Sequence, residues 1–343
     1  MPEPEPRNGE CLVRVLEVGI DATDKEIDAA EYGVAPDGSD VLVLGHEALG
    51  VVDRAGADVA HLQEGDLVVP TVRRPCPQRC PPCRNGLYDF CITGDYHERG
   101  IKQRHGFLRD RFTEHSEFLV RVPAALRAHA VLLEPVSIVE KVFRQSWRIQ
   151  DRLLWRPRRV VIAGAGSIGV LAAMLGRLRG LDTLLYSKGP ATGAVATIVR
   201  ELDVAYVDAE RESLAQACAR FGAPDLVIEA TGYSPLAWEA AQTLAVNGVL
   251  CLLSVTGGDR EATIPSDRLN LDLVLGNKLV FGSVSSHRLD FEAAVDDLQT
   301  FAEQWPAALE AFIARRIPFE ETRTALDENE TGVLKLVATV NDG

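Results

Sequence analysis

Apolar residues in the second half of the chain form short runs separated by segments with helical spacing. The run 159–163 breaks into Gly164, Gly166 and Gly169 and continues into the apolar stretch 170–175. This pattern predicts a strand, a tight turn and a helix. Further strands are predicted at Asp182–Tyr186, Val204–Val207, Asp225–Glu229, Val249–Ser254 and Leu279–Ser283. The alternation predicts a doubly wound parallel sheet, a Rossmann domain.

The three spaced glycines favour a dinucleotide site. Gly164 lets the chain reverse, Gly166 lets a pyrophosphate approach bare backbone, and Gly169 lets the helix pack against its strand. The N–H groups of Ser167 and Ile168 would then point at the phosphates. Glycine-rich turns also occur in other α/β loops, so the surrounding strand and helix pattern carries the prediction.

The first half of the chain has the alternation of a β domain. The stretch 10–18 alternates as a strand, and a second strand is predicted over 41–44, delivering His46 and Glu47 into a loop. The stretch 65–70 closes another short strand. Turn signals at regular intervals predict a barrel-like β domain with few helices.

Composition narrows the function classes. The 343 residues suggest two domains, and 36 Lys and Arg against 50 Asp and Glu give a net charge of −14, which argues against a nucleic-acid partner. The long uncharged run 160–176 is broken by loop glycines and Ser167, so it predicts a buried strand and helix rather than a membrane span. Because no signal peptide is recognised either, we expect a cytoplasmic enzyme.

Four of the seven cysteines are bunched, with the spacing Cys76-x3-Cys80-x2-Cys83-x7-Cys91. Their loop is rich in proline and charge, so these thiols are predicted to be too exposed for core residues and to bind a metal. The alternative is four free reduced thiols. The remaining three cysteines, interpreted as small core residues, are Cys11, Cys218 and Cys251.

A longer set of motifs carries a family resemblance. Gly45-His46-Glu47-x-x-Gly50 resembles the signature of the zinc-dependent medium-chain alcohol and sugar dehydrogenases. The chain is most similar to the archaeal-type glucose 1-dehydrogenases, since further segments fall in that family's order. These segments are Gly19–Asp24, Thr71–Arg74, His97–Ile101, Leu133–Pro135 with Glu140-Lys141, Glu229–Gly232 and Gly282–Val284.

The resemblance implies a GroES-like β-barrel catalytic domain joined to the Rossmann domain. We predict the catalytic domain at 1–145 with a metal-binding lobe at 73–95, the Rossmann domain at 146–286, and a return to the catalytic domain at 287–343. The resemblance also implies a sugar substrate, and we expect a homo-oligomer, either a dimer or a tetramer.

The resemblance places the catalytic zinc on Asp21, His46 and Glu134, with Glu47 as a neighbouring or water-bridged ligand. Alcohol oxidation needs a Lewis acid because the hydroxyl loses its proton as hydride leaves. Aspartate stands where alcohol dehydrogenases usually have cysteine, which predicts a harder and more exchangeable metal site. The alternative is a hydrogen-bonded His46-Glu47 pair without a metal.

The family position of Thr23 implies that it accepts the substrate's proton, although a threonine in a turn is commonly a capping hydroxyl. By the same resemblance, the cysteine cluster corresponds to a structural-zinc lobe. That lobe usually has a two-residue first gap, and three residues here leave open whether Cys76 reaches the metal.

Cofactor choice depends on the end of the second Rossmann strand. Ser187 and Lys188 stand where an acidic residue would favour NAD, so NADP is preferred and NAD remains possible. Thr231 and the segment 283–285 follow later strands, where the nicotinamide half is expected. The residues predicted there are Thr231, Ser283, Val284 and Ser285.

The family's substrate positions are Thr23, Glu98, Glu134 and Ser285. Two departures change this pocket: Gly276 replaces a histidine, and Ser285 replaces an asparagine. The favoured function is oxidation of the C1 hydroxyl of glucose or a related aldose to the lactone. A polyol or secondary-alcohol dehydrogenase and a non-catalytic NADPH sensor are the alternatives.

Overall fold

The computed structural model describes residues 4–327 and 332–341. The strands are β1 Glu10–Ile20, β2 Glu47–Ala55, β3 Leu67–Pro70, β4 Arg73–Arg74, β5 His97–Arg99, β6 Gln103–Arg104, β7 Arg111–His115, β8 Leu119–Val122, β9 Arg159–Ala163, β10 Asp182–Ser187, β11 Ala205–Asp208, β12 Leu226–Glu229, β13 Val249–Leu252, β14 Leu279–Gly282, β15 Ile313–Pro318 and β16 Lys335–Thr339.

The α-helices are α1 Ala22–Asp28, α2 Pro81–Arg84, α3 Leu133–Gln150, α4 Ser167–Leu178, α5 Gly193–Leu202, α6 Leu214–Phe221, α7 Ser234–Thr243, α8 Ser266–Leu275, α9 Arg288–Gln304, α10 Pro306–Phe312 and α11 Thr322–Asp327. Short 3-10 helices occur at Tyr88–Phe90, Ser116–Phe118, Ala124–Leu126, Ala130–Leu132 and Phe319–Glu321. Within the described ranges, none of these helices has the length and apolar character needed to cross a bilayer.

The chain divides into two compact units. The first contains the described residues of 1–137, 285–304 and 313–343, and the second contains 138–284 and 305–312. The division lies within α3, earlier than the position 145 predicted from sequence, and the return lies at 284 rather than 286. The segment 305–312, which sequence analysis assigned to the catalytic domain, belongs to the second unit because α10 packs on α5. Residues 1–3, 328–331 and 342–343 of the predicted domains lie outside the described chain.

The first unit is built on a seven-stranded sheet in the order β15-β16-β1-β2-β3-β8, with β7 also paired to β1. Alternate residues of β1 face a core that includes Val13, Val15 and Phe112, as the predicted alternation requires. Strands β4, β5 and β6 form a separate three-stranded sheet. The β domain predicted for the first half of the chain is confirmed.

The strand predicted over 41–44 is wrong. Those residues form an irregular segment, because Gly45 has a φ of 86° and the backbone bonds to another loop. Gly106 N–H donates to Val43 O and Leu108 N–H donates to Leu44 O. His46 therefore lies just before β2, and Glu47 is its first residue.

The second unit is a six-stranded parallel sheet in the order β11-β10-β9-β12-β13-β14. The strands predicted in this half all form, with ends displaced by at most two residues. Continuous apolar runs such as 160–163 are fully buried, which parallel strands covered on both faces require. The Rossmann prediction is confirmed.

Candidate active site

The turn after β1 places two carboxylates at the start of α1. Asp21 is the N-cap, and its side chain accepts the Asp24 N–H at 3.2 Å while the Asp24 side chain accepts the Asp21 N–H at 3.2 Å. Asp24 is fully buried, and its Oδ1 also accepts the Gly45 N–H at 2.9 Å. Asp24 therefore fixes the turn and the segment leading to His46.

His46 lies between these two carboxylates. Its Nε2 is 3.6 Å from Asp21 Oδ2, and its Nδ1 is 3.8 Å from Asp24 Oδ1. Burial alone would lower the pKa of His46, but Asp21 and Asp24 raise it well above its usual range. When an imidazole binds a metal, its second nitrogen commonly faces a carboxylate, and Asp24 occupies that place.

Glu134, near the start of α3, completes a cluster of acidic groups. Single ligand atoms of His46, Glu47 and Glu134 lie within 4.8 Å of one another, as do those of Asp21, Asp24 and His46. Burial, opposed by His46 and reinforced by Glu47 and Asp21, raises the pKa of Glu134 to about 8. Buried carboxylates that crowd one another around an imidazole suit a divalent cation, so the donor set fits the metal.

Glu47 is held by a residue that sequence analysis missed. Both Glu47 carboxylate oxygens accept from Lys335 Nζ, at 2.8 and 2.7 Å, and both side chains are buried. Glu47 opposes Gly19 across β1 and β2, and a Cβ at Gly19 would lie 2.1 Å from Glu47 Oε2. A lysine inside the apolar run 333–338 was the only sequence signal for this pair.

Thr23 and Glu98 occupy different surroundings. Thr23 hydrogen-bonds to the Asp21 carboxylate and to the Tyr32 side chain. Glu98, buried in β5, pairs with Arg73 rather than joining the two His46 clusters found among the described residues. The predicted substrate carboxylate is thus held in an ion pair.

The four clustered cysteines are brought together, with one Sγ from each within 4.8 Å of the others. The predicted exposure is wrong: Cys76, Cys80 and Cys83 are buried, and only Cys91 is partly exposed, because the lobe folds over its own thiols. Cys76 reaches the cluster despite the longer gap. The Cys80 N–H donates to Cys76 Sγ at 3.3 Å and lowers the pKa of Cys76 to about 6, which favours the thiolate that a metal needs.

The second unit contains the predicted glycine turn. Gly164 has a φ of 111°, and a Cβ there would lie 2.6 Å from Ala230 O. A Cβ at Gly169 would lie 2.0 Å from Gly164 O, whereas a Cβ at Gly166 would meet no atom within 4 Å. Gly166 is the N-cap of α4 and carries no side chain that could cap the helix or obstruct an approaching ligand. This cradle fits a pyrophosphate.

The other predicted cofactor residues lie at strand ends. Lys188 follows β10, is largely exposed, and is 3.7 Å from Glu210. The Thr231 hydroxyl donates to Glu229 at the end of β12. Ser283 and Ser285 hydroxyls are buried, with no hydrogen-bond partner among the described residues, so each has an unused donor for a ligand.

Two family matches cover most of the chain. Residues 127–339 match the family described as glucose dehydrogenase C-terminus, and residues 7–124 match the alcohol dehydrogenase GroES-like domain. A glucose 1-dehydrogenase from Methanocella arvoryzae is 43% identical over 97% of this chain and 93% of that protein. The chain belongs to the glucose dehydrogenase family.

A second relative and a solved structure support the same family assignment. A glucose 1-dehydrogenase from Thermoproteus tenax is 40% identical over 95% of this chain and 90% of that protein. The solved structure of Haloferax mediterranei glucose dehydrogenase in complex with NADP, Zn and gluconolactone has a TM-score of 0.92 and 33% identity. It covers 100% of this chain and 95% of that one. The family resemblance inferred from the sequence is confirmed.

Gly276, one departure from the family pattern, has a local structural reason. It ends α8, and a Cβ there would lie 2.6 Å from Asp272 O. A histidine would therefore require this turn to shift. Glycine at this position is therefore explained by the close approach of the Asp272 backbone oxygen.

Proposed function

We propose that this protein is a zinc-dependent glucose 1-dehydrogenase that oxidises the C1 hydroxyl of glucose, or of a related aldose, to the lactone with NADP. NAD is a second possible acceptor. The observation that carries the proposal is that His46 belongs to two overlapping clusters, one with Asp21 and Asp24 and one with Glu47 and Glu134, in a chain 43% identical to a glucose 1-dehydrogenase. An imidazole and carboxylates without a thiolate are a hard donor set, suited to an exchangeable divalent cation.

We assign the catalytic zinc to Asp21, His46 and Glu134. Bound there, zinc supplies the Lewis acidity that stabilises negative charge on the substrate oxygen as hydride leaves. Glu47 lies beside these ligands, but both of its carboxylate oxygens are bound by Lys335. We therefore assign Glu47 as a neighbouring carboxylate that can exchange with the ligands, not as a permanent fourth ligand. Asp24 orients the imidazole of His46.

Thr23 is the proposed proton acceptor for the sugar hydroxyl. Its hydroxyl already hydrogen-bonds to Asp21 and Tyr32, and the Tyr32 hydroxyl in turn hydrogen-bonds to Glu26. A hydroxyl in such a chain can pass a proton on as it receives one. Glu98, Glu134 and Ser285 are the proposed contacts to the other sugar hydroxyls, because carboxylate and hydroxyl oxygens accept such bonds.

The dinucleotide site is assigned to the α4 turn of the second unit. The backbone at 164–169 would hold the pyrophosphate, and Ser187 with Lys188 would contact the 2′-phosphate of NADP. Thr231, Ser283, Val284 and Ser285 are the proposed contacts to the nicotinamide half. The unused hydroxyls of Ser283 and Ser285 support this assignment.

The cysteine cluster is proposed as a second, structural zinc site. Four thiols within ligand distance and largely closed to solvent leave no open position for a substrate. Such a site requires reduced cysteines, which supports a cytoplasmic location.

We also propose that the protein is a homo-oligomer through the second unit. Strand β14 is a sheet edge, and α8 beside it in the chain exposes Val274 at 65% and Leu275 at 71%. An edge strand next to exposed aliphatic residues is normally covered, and pairing with a second copy covers both at once. Sedimentation should show a dimer or tetramer, and a monomer at micromolar concentration would contradict this proposal.

The experiment for the main proposal is a set of initial rates with aldoses and polyols, each with NADP and NAD. We expect the highest kcat/KM for glucose or a close aldose with NADP. A preference for a polyol or a simple secondary alcohol would replace the aldose assignment. NADPH binding without turnover of any substrate would favour the sensor alternative.

A further inference from the structure

Arg73 and Glu98 form a buried ion pair between two adjacent strands. They face one another in the antiparallel register of β4 and β5, and both side chains are buried. Arg73 Nε and Nη2 both contact the same carboxylate oxygen, Glu98 Oε1, at 2.9 Å. The guanidinium therefore engages one oxygen twice instead of sharing its N–H groups between the two oxygens.

The other side of the guanidinium is fixed by the cysteine lobe. Arg73 Nη1 donates to Asp89 O at 3.3 Å, and the guanidinium carbon lies 3.7 Å from the centroid of the Tyr96 ring. Asp89 belongs to the 3-10 helix between Cys83 and Cys91. A planar group held at its edge and its face has little freedom to rotate.

The second oxygen of Glu98 is left available. Within the described chain, no donor contacts Glu98 Oε2, and this atom is not enclosed. The strand continues into Gly100, where a Cβ would lie 2.6 Å from the backbone oxygen of Gly45, the residue before His46. Glu98 is therefore two residues away from Gly100, whose backbone contacts the segment that carries His46.

We propose that Arg73 is a positioning residue for sugar recognition, which anchors Glu98 through Oε1 so that Oε2 accepts a hydrogen bond from one substrate hydroxyl. This inference rests on the proposed function, in which Glu98 binds the sugar. A buried carboxylate without a cation would be costly, and one that could rotate would lose its orientation towards the hydroxyl. Arg73 offsets the charge and fixes the rotamer, and its contact to Asp89 makes sugar affinity depend on the cysteine lobe.

The test compares Arg73→Gln and Arg73→Lys with wild type and with Arg121→Gln. Arg121 is the control because its exposed side chain also pairs with a carboxylate of the same unit, Asp66, at 3.0 Å. Arg73→Gln should raise the KM for glucose roughly 10- to 100-fold, the range expected for one charge-assisted hydrogen bond. Its kcat and its KM for NADP should stay close to wild type, and Arg121→Gln should change none of these constants.

Two further comparisons separate positioning from a general structural effect. The double variant Arg73→Gln/Glu98→Gln should have the KM of Glu98→Gln alone, because Arg73 acts through Glu98. In a series of monodeoxyglucoses, wild type and Arg73→Gln should have the same KM for one sugar. That sugar is the one that lacks the hydroxyl from which Glu98 Oε2 accepts its hydrogen bond. Arg73→Lys, which keeps the charge but not the double contact, should be intermediate.

An unchanged KM for glucose in Arg73→Gln would overturn the inference, as would two penalties that multiply fully in the double variant. If Arg73→Gln does not fold, the KM of Arg73→Lys decides the question in the same way. Failure of wild type to oxidise any aldose would instead count against the proposed function. In that case the same KM comparison, made with the polyol that is turned over, still tests Arg73.

Discussion

Replacing Lys335 by methionine should destabilise the catalytic unit more than any exposed lysine substitution. Lys335 Nζ lies 2.7 Å from Glu47 Oε2, and both groups are buried. At an effective dielectric constant of about 20, the Coulomb attraction at this distance is about 6 kcal/mol. Part of this is offset by desolvation, and removing one partner of a buried pair costs about 3–5 kcal/mol. We expect a loss in that range.

The measurement is urea unfolding in EDTA, so that metal binding does not contribute to the transition. Lys188→Met, measured without cofactor, is the control, because Lys188 is exposed and 3.7 Å from Glu210 and should change stability by at most about 1 kcal/mol. Lys335→Met/Glu47→Gln should recover most of the loss, since the Glu47 carboxylate is then no longer buried without its closest cation. A Lys335→Met variant as stable as wild type, or a double variant less stable than the single one, would refute this reasoning.

Three further predictions concern the cysteine lobe, the cofactor and acid stability. Cys83→Ser should lower the melting temperature and the zinc content by one ion per chain while sparing the kcat of folded enzyme; unchanged zinc content would show that the lobe binds none. Lys188→Ala should raise the KM for NADP clearly and leave that for NAD nearly unchanged, and an equal loss for both cofactors would remove Lys188 from the 2′-phosphate site. Burial would raise the pKa of Glu114, but Arg74, Arg99 and Arg104 hold it well below its usual value. The stabilisation by ionised Glu114 should be complete above its unfolded-state pKa of about 4.3 and should decline as the pH falls further. Glu114→Gln should therefore make the free energy of unfolding, measured with urea, less dependent on pH in the acid range. A pH dependence as steep as that of wild type would contradict the assignment.

The parts of the structure that follow from local pattern were predictable from the sequence. Buried parallel strands such as 160–163 are continuous apolar runs, and the need for glycine at 164 and 169 follows from the short turn between a strand and a helix. The apolar run 41–44 has the composition of a strand, but Gly45 and the bonds to 106–108 prevent a ladder. Whether residues 41–44 form a strand therefore depends on hydrogen bonds to residues about 60 positions further along the chain, which no local pattern encodes.

The candidate site shows the same division. The turn holding Asp21 and Asp24 is a capping box formed by neighbouring residues, but the metal was placed on Asp21 through the family resemblance, and Asp24 had no predicted role. Lys335 reaches Glu47 across a separation of 288 residues, and its role depends on the pairing of β16 with β1. The burial of Cys76 also depends on how the lobe closes on itself, which spacing alone does not determine.

The central claim is that His46 and its neighbouring carboxylates hold a metal needed for sugar oxidation. The most direct test measures NADPH formation with glucose before chelation, after metal removal confirmed by elemental analysis, and after zinc is restored. We expect activity to disappear and return with zinc, while NADP binding to the second unit persists throughout. A folded His46→Ala variant should stay inactive at every zinc concentration. Full glucose turnover at near-zero metal content would contradict the account.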